Sequence, residues 1–146
     1  MQKTTRTVEQ VLARKPHRLL SVAPDASVFD ALTLLARHDV GALVVIDGER
    51  LVGIFSERDY ARQVVLQGKT SRETRVRDIM TPKVVCVRPD QNLHDCMVLM
   101  TDRRIRHLPV LDHKKVVGVI SIGDVVKEVI AEQQLMIEQL EQYIHS

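Results

Sequence analysis

A single offset of 65 residues brings the chain onto itself, and that internal repeat restricts the possible folds more than any other feature. Val22 falls on Val87, and the register holds without a gap as far as Asp59 on Asp124. Identical pairs along it include Pro24 and Pro89, Asp25 and Asp90, Asp30 and Asp95, Asp47 and Asp112, Gly53 and Gly118, and Ser56 and Ser121. Most are turn and cap residues, which set the path of a chain. A unit this small has too little interior to be stable by itself, so the two copies are expected to pack as a pseudo-twofold pair. Residues 1–68 are read as the first repeat and 69–146 as the second. The polar linker from Gly68 to Arg75 is too short to let them separate.

Each copy shows the same periodicities. An apolar run expected as a strand (Leu19 to Val22; Val84 to Val87) leads through a Pro-Asp turn to an amphipathic helix (Ser27 to His38; Asn92 to Arg104). Two β-branched runs joined by a tight polar turn follow: Leu43 to Ile46 with Leu51 to Phe55, then Leu108 to Leu111 with Val116 to Ile120. Asp47-Gly48 is a hairpin signal. A closing helix is predicted at Glu57 to Gln67 and again from Ile122 onward. The fold class is therefore α/β, two small repeats with a long C-terminal helix.

Composition removes several function classes. Of 146 residues, 21 are Lys or Arg and 19 Asp or Glu, a net charge of +2, so no overall field draws in nucleic acid or a membrane surface. Aromatic content of 3% leaves no stacking platforms for bases. No apolar run reaches a membrane span and no signal-peptide core follows the first residues, so a cytoplasmic protein is expected. Cys86 and Cys96 have no metal or redox spacing and are read as reduced, buried thiols. The six histidines show no zinc-binding pair on one helix face, so no metal is expected.

The chemistry concentrates at Gly53 to Asp59 and Gly118 to Asp124, where each copy ends a strand and opens a helix with Ser-x-x-Asp. Backbone N–H groups at a helix start suit a phosphate, and one carboxylate suits both hydroxyls of a ribose. The same pattern also makes a capping box, worth about 1 kcal/mol with no ligand at all. Duplication copies caps as faithfully as sites, so the repeat does not choose between them.

Taken together, several segments carry a specific likeness: Val22 to Asp25 and Val87 to Asp90, Asp78-Ile79-Met80-Thr81-Pro82, Gly41-Ala42-Leu43-Val44-Val45, Arg104 to Val110, and the two Ser-x-x-Asp segments. Over nearly its whole length the chain resembles a tandem cystathionine-β-synthase (CBS) domain pair, or Bateman module, of the stand-alone bacterial type. The resemblance implies two βαββα units with clefts that bind adenosine compounds: AMP, ADP, ATP, NAD(H) or S-adenosylmethionine. It implies sensing, with no catalytic residues and no required cofactor; AMP heads the expectation.

Carried over residue by residue, the resemblance groups Leu20, Val40, Gly41 and Ala42 around the base of a first cleft, with Ser56, Arg58 and Asp59 on ribose and phosphate and Arg106 and His107 reaching the same phosphates. The second cleft takes Met80, Val85 and Ile105 around the base, with Ser121 and Asp124 on the sugar. Gly123 stands where Arg58 does, and Gly41 and Ala42 where Arg106 and His107 do. The Asp59 cleft is therefore expected to be the main phosphorylated-nucleotide site. Lys15 and Arg18 precede the first strand as candidate ligand contacts in reserve.

Val126, Ile130, Gln133, Ile137, Leu140 and Ile144 form a stripe along the last helix at spacings of four and three. It is expected to pair with a second copy in a homodimer. With no enzyme, channel or DNA-binding segment in the sequence, the output is expected to go to a separate, unidentified protein. A nucleotide hydrolase lacks a P-loop or a nucleophile paired with a base, and a scaffold with mere helix caps is the remaining alternative.

Overall fold

A computed structural model describes residues 4–15 and 19–145. Helix α1 (Val8–Ala13) precedes strand β1 (Ser21–Val22), helix α2 (Val28–His38), strands β2 (Ala42–Asp47) and β3 (Arg50–Ser56) and a short helix α3 (Glu57–Tyr60). A π-helical turn, Ala61–Val65, continues α3. Then come α4 (Val76–Ile79), α5 (Leu93–Arg103), β4 (His107–Asp112), β5 (Lys115–Ser121) and the long α6 (Ile122–His145). Strand β1 runs parallel to β2 and β2 antiparallel to β3, while β4 and β5 form a second antiparallel ladder. The fold is two α/β repeats followed by a long C-terminal helix.

Local chemistry explains most element ends. Ser27 caps α2 by accepting from the Asp30 N–H at 3.0 Å, and Asn92 caps α5 by accepting from the His94 N–H at 2.6 Å. The same helices end on left-handed residues at equivalent positions, Asp39 (φ 51°) and Arg104 (φ 55°). Gly48 supplies the positive φ of the first hairpin, whereas the second places His113 and Lys114 in that region.

The predicted strand at Val84–Val87 does not form; Val87 alone bridges β4, opposite Val110. The Val87 N–H donates to the Pro109 carbonyl at 3.0 Å and the Leu111 N–H donates to the Val87 carbonyl at 2.9 Å. The next rung needs an N–H from residue 109, which proline lacks. In the first repeat Val44 holds the equivalent place and pairs with Ser21.

The two cores cut across the sequence-based boundaries at residue 68. Val8 and Val11 of α1 are buried with Val87, Leu93, Cys96, Met100, Leu108, Val110, Ile120 and Val125 of the second repeat. Val76 and Ile79 of α4 are buried with Val22, Val28, Ala31, Leu35, Leu43, Val45 and Phe55 of the first. Matching hydrogen bonds fasten each exchanged segment: Val8 N–H to Gln91 O and Glu9 N–H to Pro89 O at 2.9 Å, Val76 N–H to Ala26 O and Arg77 N–H to Pro24 O at 2.9 Å. Glu128 of α6, buried, pairs with Arg6 at 3.3 Å and Arg14 at 3.2 Å and holds α1 further in place. Each repeat thus completes its core with a segment that precedes the other in sequence.

Both cysteines are free. Burial, then the charge of Asp95, pushes the Cys96 thiol up to about 11, and burial raises that of Cys86. Cys86 lies outside any strand, in the segment that Pro109 keeps out of the ladder.

Candidate functional site

A cavity of about 870 Å3 opens between the two repeats. Leu19, Leu20, His38, Asp39, Val40, Gly41 and Ala42 of the first repeat line one side; His107, Val117, Gly118, Val119, Ser121 and Asp124 of the second line the other. Glu9, Leu12, Ala13 and Lys15, from α1 and the turn after it, complete the wall.

The left-handed end of α2 at Asp39 turns Val40 and Gly41 directly into β2, which fixes them at the cavity edge. Gly41 lies against the His107 ring: a Cβ there would stand 3.1 Å from Nε2. His107 pairs with Ser121 across the β4–β5 ladder. Gly118 lets α1 approach β5, since a Cβ there would meet Leu12 Cδ2 at 2.7 Å.

Ser121 and Asp124 form the expected box at the start of α6: the Ser121 N–H donates to Asp124 Oδ2 at 2.8 Å, and the Asp124 N–H donates to Ser121 Oγ at 3.1 Å. Asp124 Oδ2 also accepts Lys15 Nζ at 2.7 Å, and the same ammonium donates to the Val119 carbonyl at 2.7 Å. Burial pushes the Asp124 carboxyl up, but the bonds from Lys15 and Ser121 more than offset it and hold the group below its usual range. The His107 imidazole is lowered, first by burial, then by Lys15 and Arg106, with Asp124 opposing. The cavity therefore offers an apolar floor, an ionised carboxylate, an ammonium and an imidazole.

The grouping is crossed relative to the one expected from sequence. Leu20, Val40, Gly41, Ala42 and His107 share the cavity with Ser121 and Asp124, not with Ser56, Arg58 and Asp59. Lys15, in the turn after α1, bonds to Val119 and Asp124 of the second repeat, and Leu19 and Leu20 of the first repeat line the same cavity.

The twin box at Asp59 faces other neighbours. The Ser56 N–H donates to Asp59 Oδ2 at 2.9 Å, and the Asp59 N–H to Ser56 Oγ at 3.2 Å. Thr81 Oγ1 lies 3.3 Å from Asp59 Oδ1, and a Cβ on Gly53 would meet Met80 Sδ at 2.6 Å. Arg58 donates to the Arg104 carbonyl at 3.2 Å. Met80 therefore lies on the Asp59 side. Val85 and Ile105 are half-buried and pack on the second repeat's core, and Arg106 is exposed.

Lys15, Leu12, Glu9, Asp39 and Thr81 were not among the residues grouped from sequence. A second offset brings out Leu12 and Lys15: shifting by 68 residues lays Val8 on Val76, Val11 on Ile79, Leu12 on Met80 and Lys15 on Lys83. Arg18, the other reserve cation, lies outside the described residues. Among the described residues, no group of His, Cys, Asp or Glu is arranged to hold a metal ion, and no helix is long and apolar enough to cross a membrane.

Residues 8–66 and 76–131 both match the CBS domain. The chain belongs to the CBS domain family. A mitochondrial CBS domain-containing protein of Arabidopsis thaliana is 44% identical over 82% of the chain; the match spans 61% of that protein's length. A CBS-domain protein from Burkholderia ambifaria is 52% identical, covers 88% of this chain and 96% of its own, and superposes with a TM-score of 0.85. A CBS domain pair solved with 5′-methylthioadenosine and S-adenosyl-L-methionine shares the fold at a TM-score of 0.76 and 23% identity, covering 85% of this chain and 99% of its own.

Proposed function

We propose that the chain is a non-catalytic sensor of an adenosine nucleotide, with AMP as its preferred ligand class, acting in the cytoplasm through a separate protein. The observation that carries this reading is the cavity's composition: Leu20, Val40 and Ala42 converge with Asp124, Lys15 and His107. Apolar side chains suit an adenine face, the Asp124 carboxylate suits the two ribose hydroxyls, and Lys15 with His107 suits a phosphate. Capping alone accounts for Ser121 and Asp124 but not for the apolar wall or the ammonium. The CBS pair that holds two adenosine derivatives in the same fold supports the ligand class.

The Asp59 box, with Met80 and Thr81 beside it, is the twin position and takes a second, independent ligand there; Arg58, Arg106, Val85 and Ile105 are its proposed accessory contacts. A ligand that touches both repeats and binds one arrangement of them better than another would shift their relative placement and that of α1, which supports a signalling role. The exposed apolar residues of α6, including Val126, Ile130, Ile137, Leu140 and Ile144, form the proposed homodimer surface.

A thermal-shift panel of AMP, ADP, ATP, NAD, NADH, S-adenosylmethionine and adenosine tests the reading. A ligand that binds only the folded state raises the melting temperature by mass action. Stabilisation by AMP that Asp124→Ala largely removes, with Asp59→Ala taking away only the smaller share of the twin position, is the expected result. A larger shift with S-adenosylmethionine favours a sulfonium-ligand sensor, with Glu9 and Asp39 in the wall as its acidic partners. No shift with any ligand leaves both boxes as helix caps in a scaffold.

A further inference from the structure

We infer that Lys15 is the residue that makes the cavity select for a phosphate: it closes the Asp124 carboxylate to adenosine ligands without an anionic group and is drawn off by those that carry one. The inference rests on the adenosine-ligand reading of the same cavity.

Asp124 Oδ2 already accepts two hydrogen bonds, from the Ser121 N–H at 2.8 Å and from Lys15 Nζ at 2.7 Å. The first belongs to the helix cap and stays. A ribose diol that spans this carboxylate, one hydroxyl on each oxygen, meets Lys15 at Oδ2 and must displace it there. The pair is not a loose surface contact, because the Asp124 and Lys15 side chains are only 22% and 33% exposed, and the ammonium is tethered a second time by the Val119 carbonyl. Separating the two leaves a partly desolvated ammonium with one neutral acceptor.

What the rest of the ligand offers decides whether that loss is recovered. A 5′-phosphate supplies a new anion within reach of a flexible lysine that stays anchored near Val119. Adenosine and 5′-methylthioadenosine supply none. A sulfonium ligand adds a second positive charge near the first. Glu9, Asp39 and the His107 imidazole also line the wall, and His107 feels the charges of both Lys15 and Asp124; the selection acts at the one carboxylate that both Lys15 and the sugar need.

The twin position lacks this device. The corresponding contact at Asp59 is a neutral hydroxyl, Thr81 Oγ1 at 3.3 Å. Lys83, which the offset of 68 lays on Lys15, makes no bond to Asp59 in this arrangement, so the displaced ammonium acts at the Asp124 cavity and the two boxes are expected to differ in their preference although their caps match.

The test is calorimetric titration of AMP and of adenosine into the full chain, as wild type, Lys15→Gln, Lys15→Met and Lys15→Arg, with circular dichroism and a melting curve for each. Wild type is expected to prefer AMP by about tenfold or more, and Lys15→Gln or Lys15→Met to lose about tenfold of that ratio, weakening AMP and strengthening adenosine. Lys15→Arg keeps the preference. An AMP-to-adenosine ratio unchanged in folded Lys15→Gln and Lys15→Met, with both ligands still binding, overturns the role of Lys15 and leaves the cavity assignment standing. Absence of binding by either ligand to wild type overturns both.

Discussion

Gly118→Ala probes the exchanged packing of α1 most locally. The added methyl would stand 2.7 Å from Leu12 Cδ2 and about a further ångström from the other Leu12 atoms nearby, at 3.8 Å. The clash is thus with the end of one flexible side chain and not with backbone, which places the cost at the low end of overpacking, about 1 kcal/mol. Leu12→Ala alone removes a half-buried leucine packed against the second core and should cost about 2 kcal/mol. In the double variant the new methyl fills space that Leu12 vacated, so the two costs should fall short of additive by about 1 kcal/mol. Urea unfolding of the four proteins measures the coupling. Gly53→Ala offers a contrast, because its Cβ would meet the Thr81 backbone carbonyl at 3.0 Å as well as Met80 Sδ at 2.6 Å, and should cost more. Strict additivity of Gly118→Ala and Leu12→Ala would refute the placement of α1 on β5.

Two further outcomes follow from the same structure. The His107 imidazole is lowered by burial and by Lys15 and Arg106, with Asp124 opposing and Glu9, His38 and Asp39 also in the cavity wall. Its unfolded form therefore binds a proton first as pH falls: stability is full above about pH 6.5 and declines as pH drops through the lowered folded value, and His107→Gln should flatten that decline in melting temperatures taken from about pH 8 to about pH 5. Asp124 stays ionised across that window, since its carboxyl is held below its usual range. On α6, Ile137 and Leu140 are 48% and 60% exposed, so Ile137→Asp with Leu140→Asp should leave monomer stability within about 0.5 kcal/mol while converting a dimer to monomer by light scattering. A dimer that survives both changes would place the interface elsewhere.

What was legible in the sequence follows the range of the forces involved. Ser27, Asn92, Ser56 and Ser121 cap helices through bonds to residues two or three positions away, so their pattern alone located four helix starts. The hairpins are equally local. The duplication at offset 65 supplied the twofold architecture because it concerns the body of each repeat. The exchange of α1 and α4 was hidden because those segments repeat at offset 68, and a gapless comparison passes over them. Lys15 reaches Asp124 because α1 packs on the second repeat, a contact that spacing along the chain does not announce. The missing strand at Val84–Val87 turned on Pro109, a residue distant in sequence whose lost N–H matters only once the two segments lie side by side.

The central claim is that one cavity, built from both repeats, receives the adenosine nucleotide with Asp124 on its sugar. Methyl-resolved NMR during an AMP titration tests it most directly, because the two boxes have separate apolar neighbours. The account predicts shifts first in the methyl groups of Leu12, Leu20, Val40 and Val119, all lost in Asp124→Ala. Shifts confined to Met80, Val85 and Ile105, and abolished by Asp59→Ala instead, would contradict it.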